Sequence, residues 1–425
     1  MREQRLEKVA FLFSIYLNRK SAMSTINLFI LLLFGTWISL VSLYISTMPY
    51  VYISVAWCVV LLYAWKKLQR TIIKTLCISI AGVLLIFAVV ELYLGLKDEF
   101  WRTQYAQRKQ ITKPTKLIPD PILGYVNNKN VKVSESLHYG DKLEWRAEYT
   151  IDSNGLRVSS RFENSSESTE CVVFFGGSFT FGKGVRDEQT LPYQVDLKTD
   201  GKYQIYNFGV GGYGPHQMLA ALEFKLDEKI LRCKPKYAIY QGFTVGKDGH
   251  DARAAGKVPW DTHGPRYVLE NETKVRFAGH FDDVSGDLLR LDSVVEKFKN
   301  QINKSFIVEK LLLFLHGSRI FISYDSKLYL AIVHRAKTIF EQRYPDSEFH
   351  VIYWDPSRDT YNSVLADIII DGFNERKIPV HLTSDMFPRD LHGSDQMHVS
   401  EHDGHPSALA HSLIAEYVVN NILKE

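Results

Sequence analysis

The distribution of apolar residues before position 97 constrains this chain more than any other feature. Three apolar runs lie there: Ile26–Ile45, Val51–Trp65 and Thr75–Val90, the last with flanks reaching Leu96. The first is long enough to span a bilayer, and the others reach that length with their flanking residues. Trp37, Tyr50, Tyr52, Trp65 and Tyr93 include aromatics suited to membrane interfaces. One signal peptide followed by buried core helices is the alternative, but a signal peptide has a single short apolar region. The sequence therefore predicts three transmembrane helices within residues 25–96, after a cytoplasmic segment of residues 1–24.

Charge placement orients them. Arg2, Arg5, Lys8, Arg19 and Lys20 precede the first run, and Lys66, Lys67, Arg70 and Lys74 separate the second from the third. The loop near Ser46–Tyr50 carries no charge. Positive loops stay inside, so an odd number of spans places everything after Leu96 outside the cytoplasm, in the periplasm or beyond.

The rest of the chain has ordinary composition. Of 425 residues, 23% are charged and the net charge is +3, which argues against a nucleic-acid partner. Four cysteines are present: Cys58 and Cys77 inside the apolar runs, Cys171 and Cys233 at or just before strand-like segments. That placement predicts two buried free thiols rather than a disulfide framework.

Residues 97–120 are charged and mixed, and read as a stalk. Residues 121–170 contain the strand-like patches "LGYV", "LEWRAEYTI" and "DSNGLRV", a β-rich lead-in closed by the polar loop "RFENSSESTE". From Cys171 to the end, strand candidates at 171–176, 203–208, 236–241, 348–354 and 378–383 alternate with helical stretches near 187–199, 215–227, 326–344, 360–374 and 406–423. Such alternation predicts an α/β fold, a three-layer sandwich around a mostly parallel five-stranded sheet. The long interruption at about 243–327 reads as a lid or insertion beside a site.

Three motifs fall at the ends of these elements. "VVFFGGSFTFG" ends an apolar strand on Gly176, Gly177 and Ser178; "YNFGVGGYG" follows the second strand; "EHDGHPSALAHSLIAEY" opens the last helix. A serine becomes a nucleophile when a base takes its proton and a third group orients that base. Donors must also face the developing oxyanion. Ser178 at a strand-to-helix turn, His405 as base and Asp403 as its partner would meet the first need, with Pro406 starting the helix. Each motif also has an ordinary structural reading: a turn, a loop, a helix cap.

Together these blocks resemble the SGNH (GDSL-like) hydrolase family, in particular its membrane-linked, extracytoplasmic branch. The resemblance runs over about Leu123–Asn421, sharp only in short blocks, and implies an SGNH, flavodoxin-like catalytic domain over residues 171–425. It implies Ser178 as nucleophile and, with the block asparagine on Asn207, Gly212 as an oxyanion donor beside the Ser178 N–H. It implies Asp403 and His405 as acid and base. The "DPILGYV…YTIDSNGLR" lead-in is similar to the segment preceding the catalytic domain in that branch.

Two features depart from the family pattern. The usual acid lies three residues before the histidine, where this chain has His402. The third block lacks its asparagine: "IYQGFTVGKDGHDARAAG" offers Gln241, Lys247, His250 and Arg253 instead, and "DGHDAR" is similar to the "DH…R" form of that block, pointing to His250. His392, His398, His402, His405 and His411 crowd the C-terminal region, yet they fall in loop-like sequence without a placed third ligand, so no metal is expected. No cofactor is implied. The resulting expectation is a serine esterase or acyl hydrolase acting on O-acyl esters of a glycan or lipid. Its alternatives are a polysaccharide O-acyltransferase using the same residues and a catalytically silent, membrane-tethered glycan-binding or assembly protein.

Overall fold

The computed structural model describes residues 49–67, 71–161, 170–244, 248–271, 273–285, 324–355 and 362–424. Its contacts divide the chain into two units: residues 1–105 with 288–313, and residues 106–287 with 314–425.

In the first unit, α1 (Pro49–Lys67) and the first thirty-odd residues of α2 (Thr71–Ala106) are described. The Cys58 thiol on α1 donates to the Ala81 carbonyl of α2 at 3.1 Å, and Cys58 and Cys77 are free. The three-helix expectation is corrected to one among the described residues. Thr75–Lys97 on α2, 23 residues at mean hydropathy 2.5, is long and apolar enough to cross a bilayer. The second run lies on α1, where the apolar stretch is only Ile53–Tyr63 and Lys66 and Lys67 close it off. The first run and residues 1–24 lie outside the described residues.

The second unit begins sooner than a stalk at 97–120 would allow. Those residues are the end of α2, then β1 (Arg108–Lys113) and β2 (Leu117–Asp120). β2 pairs antiparallel with β3 (Gly124–Asn127). β1 joins β4 (Val131–Tyr139) and β5 (Lys142–Ile151) in an antiparallel sheet of order β1-β4-β5. Its apolar face, Val133, Leu137, Trp145, Ala147, Tyr149 and Ile151, packs on Phe181. Alternation along β5 aims Trp145, Ala147 and Tyr149 the same way, which ties the lead-in to the rest of the unit.

The main sheet is parallel, with order β12-β11-β8-β6-β7. The strands are β6 (Glu170–Phe175), β7 (Gln204–Asn207), β8 (Lys234–Gly242), β11 (Glu348–Tyr353) and β12 (Val380–Leu382). Both faces are buried, so the strands read as continuous apolar runs. Cys171, Val173 and Phe175 face one layer, which holds the helices Pro215–Glu223 and Tyr324–Arg343. Val172 and Phe174 face the other, which holds the helices Leu191–Lys198 and Ala408–Tyr417. This is the expected three-layer α/β arrangement. The β9–β10 hairpin (Pro265–Leu269 and Val275–His280) belongs to the interruption after β8, whose residues 286–323 lie outside the described set.

The expectation of free thiols at Cys171 and Cys233 is overturned: they form a disulfide, with Cα atoms 5.9 Å apart. Cys171 is the second residue of β6 and Cys233 immediately precedes β8. These neighbouring strands run parallel with Glu170 opposite Lys234, so the register brings the two thiols to the same end of the sheet. The pairing was hidden because strand adjacency, not sequence spacing, creates it.

Candidate functional site

Ser178, Gly212 and His250 come from three separate segments beyond strand ends, and Asp403 and His405 share a fourth, a short strand before the last helix. Ser178 opens a four-residue helix directly after β6. As the first helical residue it has an N–H with no intrahelical acceptor. Gly177 must be glycine: a Cβ there would lie 2.9 Å from both the Tyr213 carbonyl oxygen and Arg253 Nη1.

His405 Nε2 lies 2.9 Å from Ser178 Oγ, and His405 Nδ1 lies 2.5 Å from Asp403 Oδ1. The two-residue spacing, anomalous on a helix, has a simple basis. Asp403 and His405 lie on a short strand, β14 (Asp403–Pro406), paired with β13 (His398–Ser400). Alternate strand residues point to one face, so i and i+2 meet. Pro406 accordingly ends this strand rather than starting the helix, and Ser407 caps Ala408–Tyr417 by accepting from the Ala410 N–H.

The Asp403 carboxylate is buried but well supplied with donors. Its Oδ2 accepts the Trp145 indole N–H at 2.9 Å, and Arg108 Nη2 lies 3.7 Å from Oδ1. Burial alone would raise its pKa, but the His405 hydrogen bond and charge, with Lys183 and Trp145, hold it well below the usual carboxylate range. Burial pushes the His405 imidazole down, against an opposing pull from Asp403. Neutral imidazole beside carboxylate is the state that can accept a hydroxyl proton.

The lead-in also holds the turn that carries Ser178. Arg157, from "DSNGLRV", is fully buried and donates to the Phe181, Gly182 and Val185 carbonyls at 2.7, 2.5 and 2.7 Å, and to Asp187 at 2.9 Å. It thus satisfies the carbonyls that the short helix leaves open. Asn207 donates from Nδ2 to the Thr180 carbonyl and accepts the Gly209 N–H at Oδ1, joining the glycine loop to the same turn.

Gly212 takes φ +90°, and a Cβ on it would lie 2.8 Å from Trp260 Nε1. The Trp260 indole N–H donates to the Gly212 carbonyl at 3.3 Å, and the Tyr125 hydroxyl donates to the Gly211 carbonyl at 3.2 Å. These contacts hold the loop by its carbonyls. Arg253 adds a third, from Nη1 to the Tyr213 carbonyl at 2.7 Å, and is thereby occupied. The interruption is pinned by buried Asp261, whose Oδ2 lies 2.7 Å from both His216 Nε2 and Gln217 Nε2.

Among the third-block candidates, Lys247 lies outside the described residues. Gln241, within β8, uses Oε1 to accept from Thr180 Oγ1 at 2.8 Å. His250 is buried, with Nδ1 2.5 Å from the Tyr240 hydroxyl and Nε2 without a protein partner. That Nε2 stands 3.5 Å from where a Cβ on Gly177 would be, beside the serine. Burial, then the charge of Arg253, keeps its imidazole well below the usual pKa.

Ser178, Asp403, His405 and the glycine loop were readable in the sequence. Trp145, Arg108 and Arg157 were not singled out, because nothing local marks a strand tryptophan or a turn arginine as a partner of residues far along the chain. Of the crowded C-terminal histidines, only His405 reaches Ser178. His402 stacks on Tyr139 and pairs with Glu144, and His411 Nδ1 accepts the Leu191 N–H. Among the described residues no group of three or more His, Cys, Asp or Glu could hold a metal ion.

No family model and no curated protein matches the chain. Solved structures similar to it include a protein assigned to the G-D-S-L lipolytic family from Desulfitobacterium hafniense. That likeness has 14% identity and TM-score 0.30, covering 59% of this chain and 98% of that one. An acetyl xylan esterase from the rumen bacterium Butyrivibrio proteoclasticus matches at 13% identity and TM-score 0.31, over 63% of this chain and 68% of that one. A carbohydrate esterase matches at 11% identity and TM-score 0.34, over 75% and 89%. Identities and scores of this size leave function to be read from the side chains themselves.

Proposed function

We propose that this protein is a membrane-anchored, extracytoplasmic serine ester hydrolase of the SGNH type. The observation that carries the reading is the unbroken hydrogen-bonded chain from Ser178 Oγ through His405 to Asp403, at 2.9 and 2.5 Å. Ser178 Oγ attacks the ester carbonyl carbon while His405 Nε2 takes its proton. Asp403 holds the ring and stabilises the imidazolium. The tetrahedral oxyanion is held by the Ser178 and Gly212 N–H groups and by His250 Nε2–H. Collapse breaks the ester bond, and the leaving alcohol takes the proton from His405. Water, deprotonated by the same imidazole, then releases the acid and restores the serine.

Two observations favour an extracytoplasmic site. The Cys171–Cys233 disulfide suits an oxidising compartment. The apolar stretch of α2 leaves Val83, Ile86 and Val89 exposed, as a lipid-facing helix would. We place the basic residues ahead of that stretch, Lys66, Lys67 and Lys74, on the cytoplasmic side, so that the residues after Leu96 lie outside. The substrate class we infer is an O-acylated glycan or lipid near the bilayer. Trp260, exposed and bonded to the Gly212 carbonyl, offers a flat apolar face beside the site for a sugar ring.

Fluorophosphonate labelling and release of p-nitrophenol from p-nitrophenyl acetate test the reading. Wild type should react in both assays and Ser178→Ala in neither. A folded wild type inert in both would overturn the hydrolase reading in favour of a glycan-binding or assembly protein.

A further inference from the structure

We propose that Tyr240 is a positioning residue that fixes His250 as the Nε2–H tautomer and so turns it into an oxyanion donor. The proposal rests on the hydrolase reading above and adds to it a residue that touches neither substrate nor nucleophile.

Tyr240 lies on β8 and is fully buried; His250, the first residue of the helix His250–Ala254, is 1% exposed. Oη and Nδ1 are 2.5 Å apart, and the Phe243 ring packs on the imidazole with centroids 4.7 Å apart. The ring is therefore held in one orientation. Its other nitrogen, buried and unpartnered in the protein, faces the Gly177–Ser178 turn.

A single proton decides what this nitrogen can do. A neutral imidazole carries one N–H, and the bond made by one nitrogen sets the role of the other. Phenol is a far stronger acid than neutral imidazole, and an imidazole nitrogen a far stronger base than a phenol oxygen. The favoured short bond is therefore Tyr240 O–H donating to Nδ1. Nε2 must then carry the hydrogen, on the side of the ring that neighbours Gly177. The reverse arrangement would present a lone pair to a developing negative charge. Burial pushes the Tyr240 hydroxyl well above its ordinary pKa, so it remains a donor throughout the neutral range. An asparagine needs no such partner, because its amide always carries donors. A histidine in that place does.

Two measurements on the full-length protein test this. The ¹⁵N shifts of His250 at neutral pH should show a pyridine-like Nδ1 and a pyrrole-like Nε2. Steady-state hydrolysis of p-nitrophenyl acetate by Tyr240→Phe should show kcat lower by roughly tenfold with KM little changed, the size expected for one lost hydrogen bond. His250→Ala should lose about 10²–10³ in kcat. A protonated Nδ1 in the wild type overturns the proposal, and this holds even if Tyr240→Phe fails to fold. A crippled His250→Ala beside a fully active Tyr240→Phe overturns the positioning role and leaves the histidine donor standing. A silent His250→Ala removes the donor itself, and with it the proposal, while loss of labelling in Ser178→Ala would still support the hydrolase reading.

Discussion

Trp145 donates its indole N–H to Asp403 Oδ2 at 2.9 Å, across 258 positions of sequence. The tryptophan belongs to the antiparallel sheet that precedes the main domain, and the aspartate to the short strand before the last helix. The lead-in is thus part of the site. It orients the carboxylate that in turn orients His405.

Trp145→Phe should keep the apolar contact and lose this bond. Hydrogen bonds to charged groups contribute about 1.5–3 kcal/mol, so kcat should fall by about 10- to 100-fold. Steady-state kinetics on a short-chain ester, with thermal unfolding as a control for folding, measures it. An unchanged kcat would mean that His405 and Arg108 suffice to hold Asp403.

The pH profile follows from His405. A base must be unprotonated, so activity is lost as pH falls through its pKa. Burial lowers that pKa, with Asp403 opposing. The acid limb of kcat/KM should therefore lie below the ordinary imidazole value of about 6.5. Asp403→Asn should lower activity less than Ser178→Ala does and move the limb further down, since the opposing carboxylate charge is gone. A limb above pH 7 would contradict this assignment.

Stability should also decline in acid, beginning above the carboxylate range. Burial pushes His411 down to about 3, and burial with His350 pushes His381 down to about 4; burial and Arg253 hold His250 well below its usual value. In the unfolded chain each titrates near about 6.5. The unfolded state thus binds protons that the folded state refuses, and stability falls as pH drops from there towards 4. Asp251, raised by burial to about 6, and Asp227, also raised by burial, work in the opposite sense, but burial lowers His334, His350 and His405 as well. Chemical denaturation at pH 7 and pH 5 should show a lower midpoint at pH 5.

The disulfide closes a loop with sequence separation 62. The chain-entropy relation gives about 4 kcal/mol of stabilisation for a loop of that length. Reduction, or replacing both Cys171 and Cys233 by serine, should lower the denaturant midpoint accordingly. A midpoint insensitive to reductant would show that the loop ends are held as well by the β6–β8 ladder alone.

Topology is open to a reporter. Alkaline phosphatase, which needs an oxidising compartment, should be active when fused after Lys97, and a cytoplasmic reporter at the same place should be silent. The opposite pattern would remove the inside-to-outside orientation.

The sequence by itself determined the alternation of strands and helices from Cys171 onward, because buried parallel strands are continuous apolar runs bounded by glycine-rich ends. It determined Ser178, Asp403 and His405 as candidates because such turns sit in short, locally coded motifs. It likewise marked an apolar stretch suited to a bilayer, since length and hydropathy are local properties. Tertiary structure alone decided the rest. Trp145, Arg108 and Arg157 reach the site because the lead-in folds against the Ser178–Phe181 turn and the strand that carries Asp403, and the Cys171–Cys233 pair forms through strand order. Tyr240 meets His250 because the helix after β8 folds back over its end. Such contacts are set by register, layer and closure among distant segments, and no local pattern encodes these.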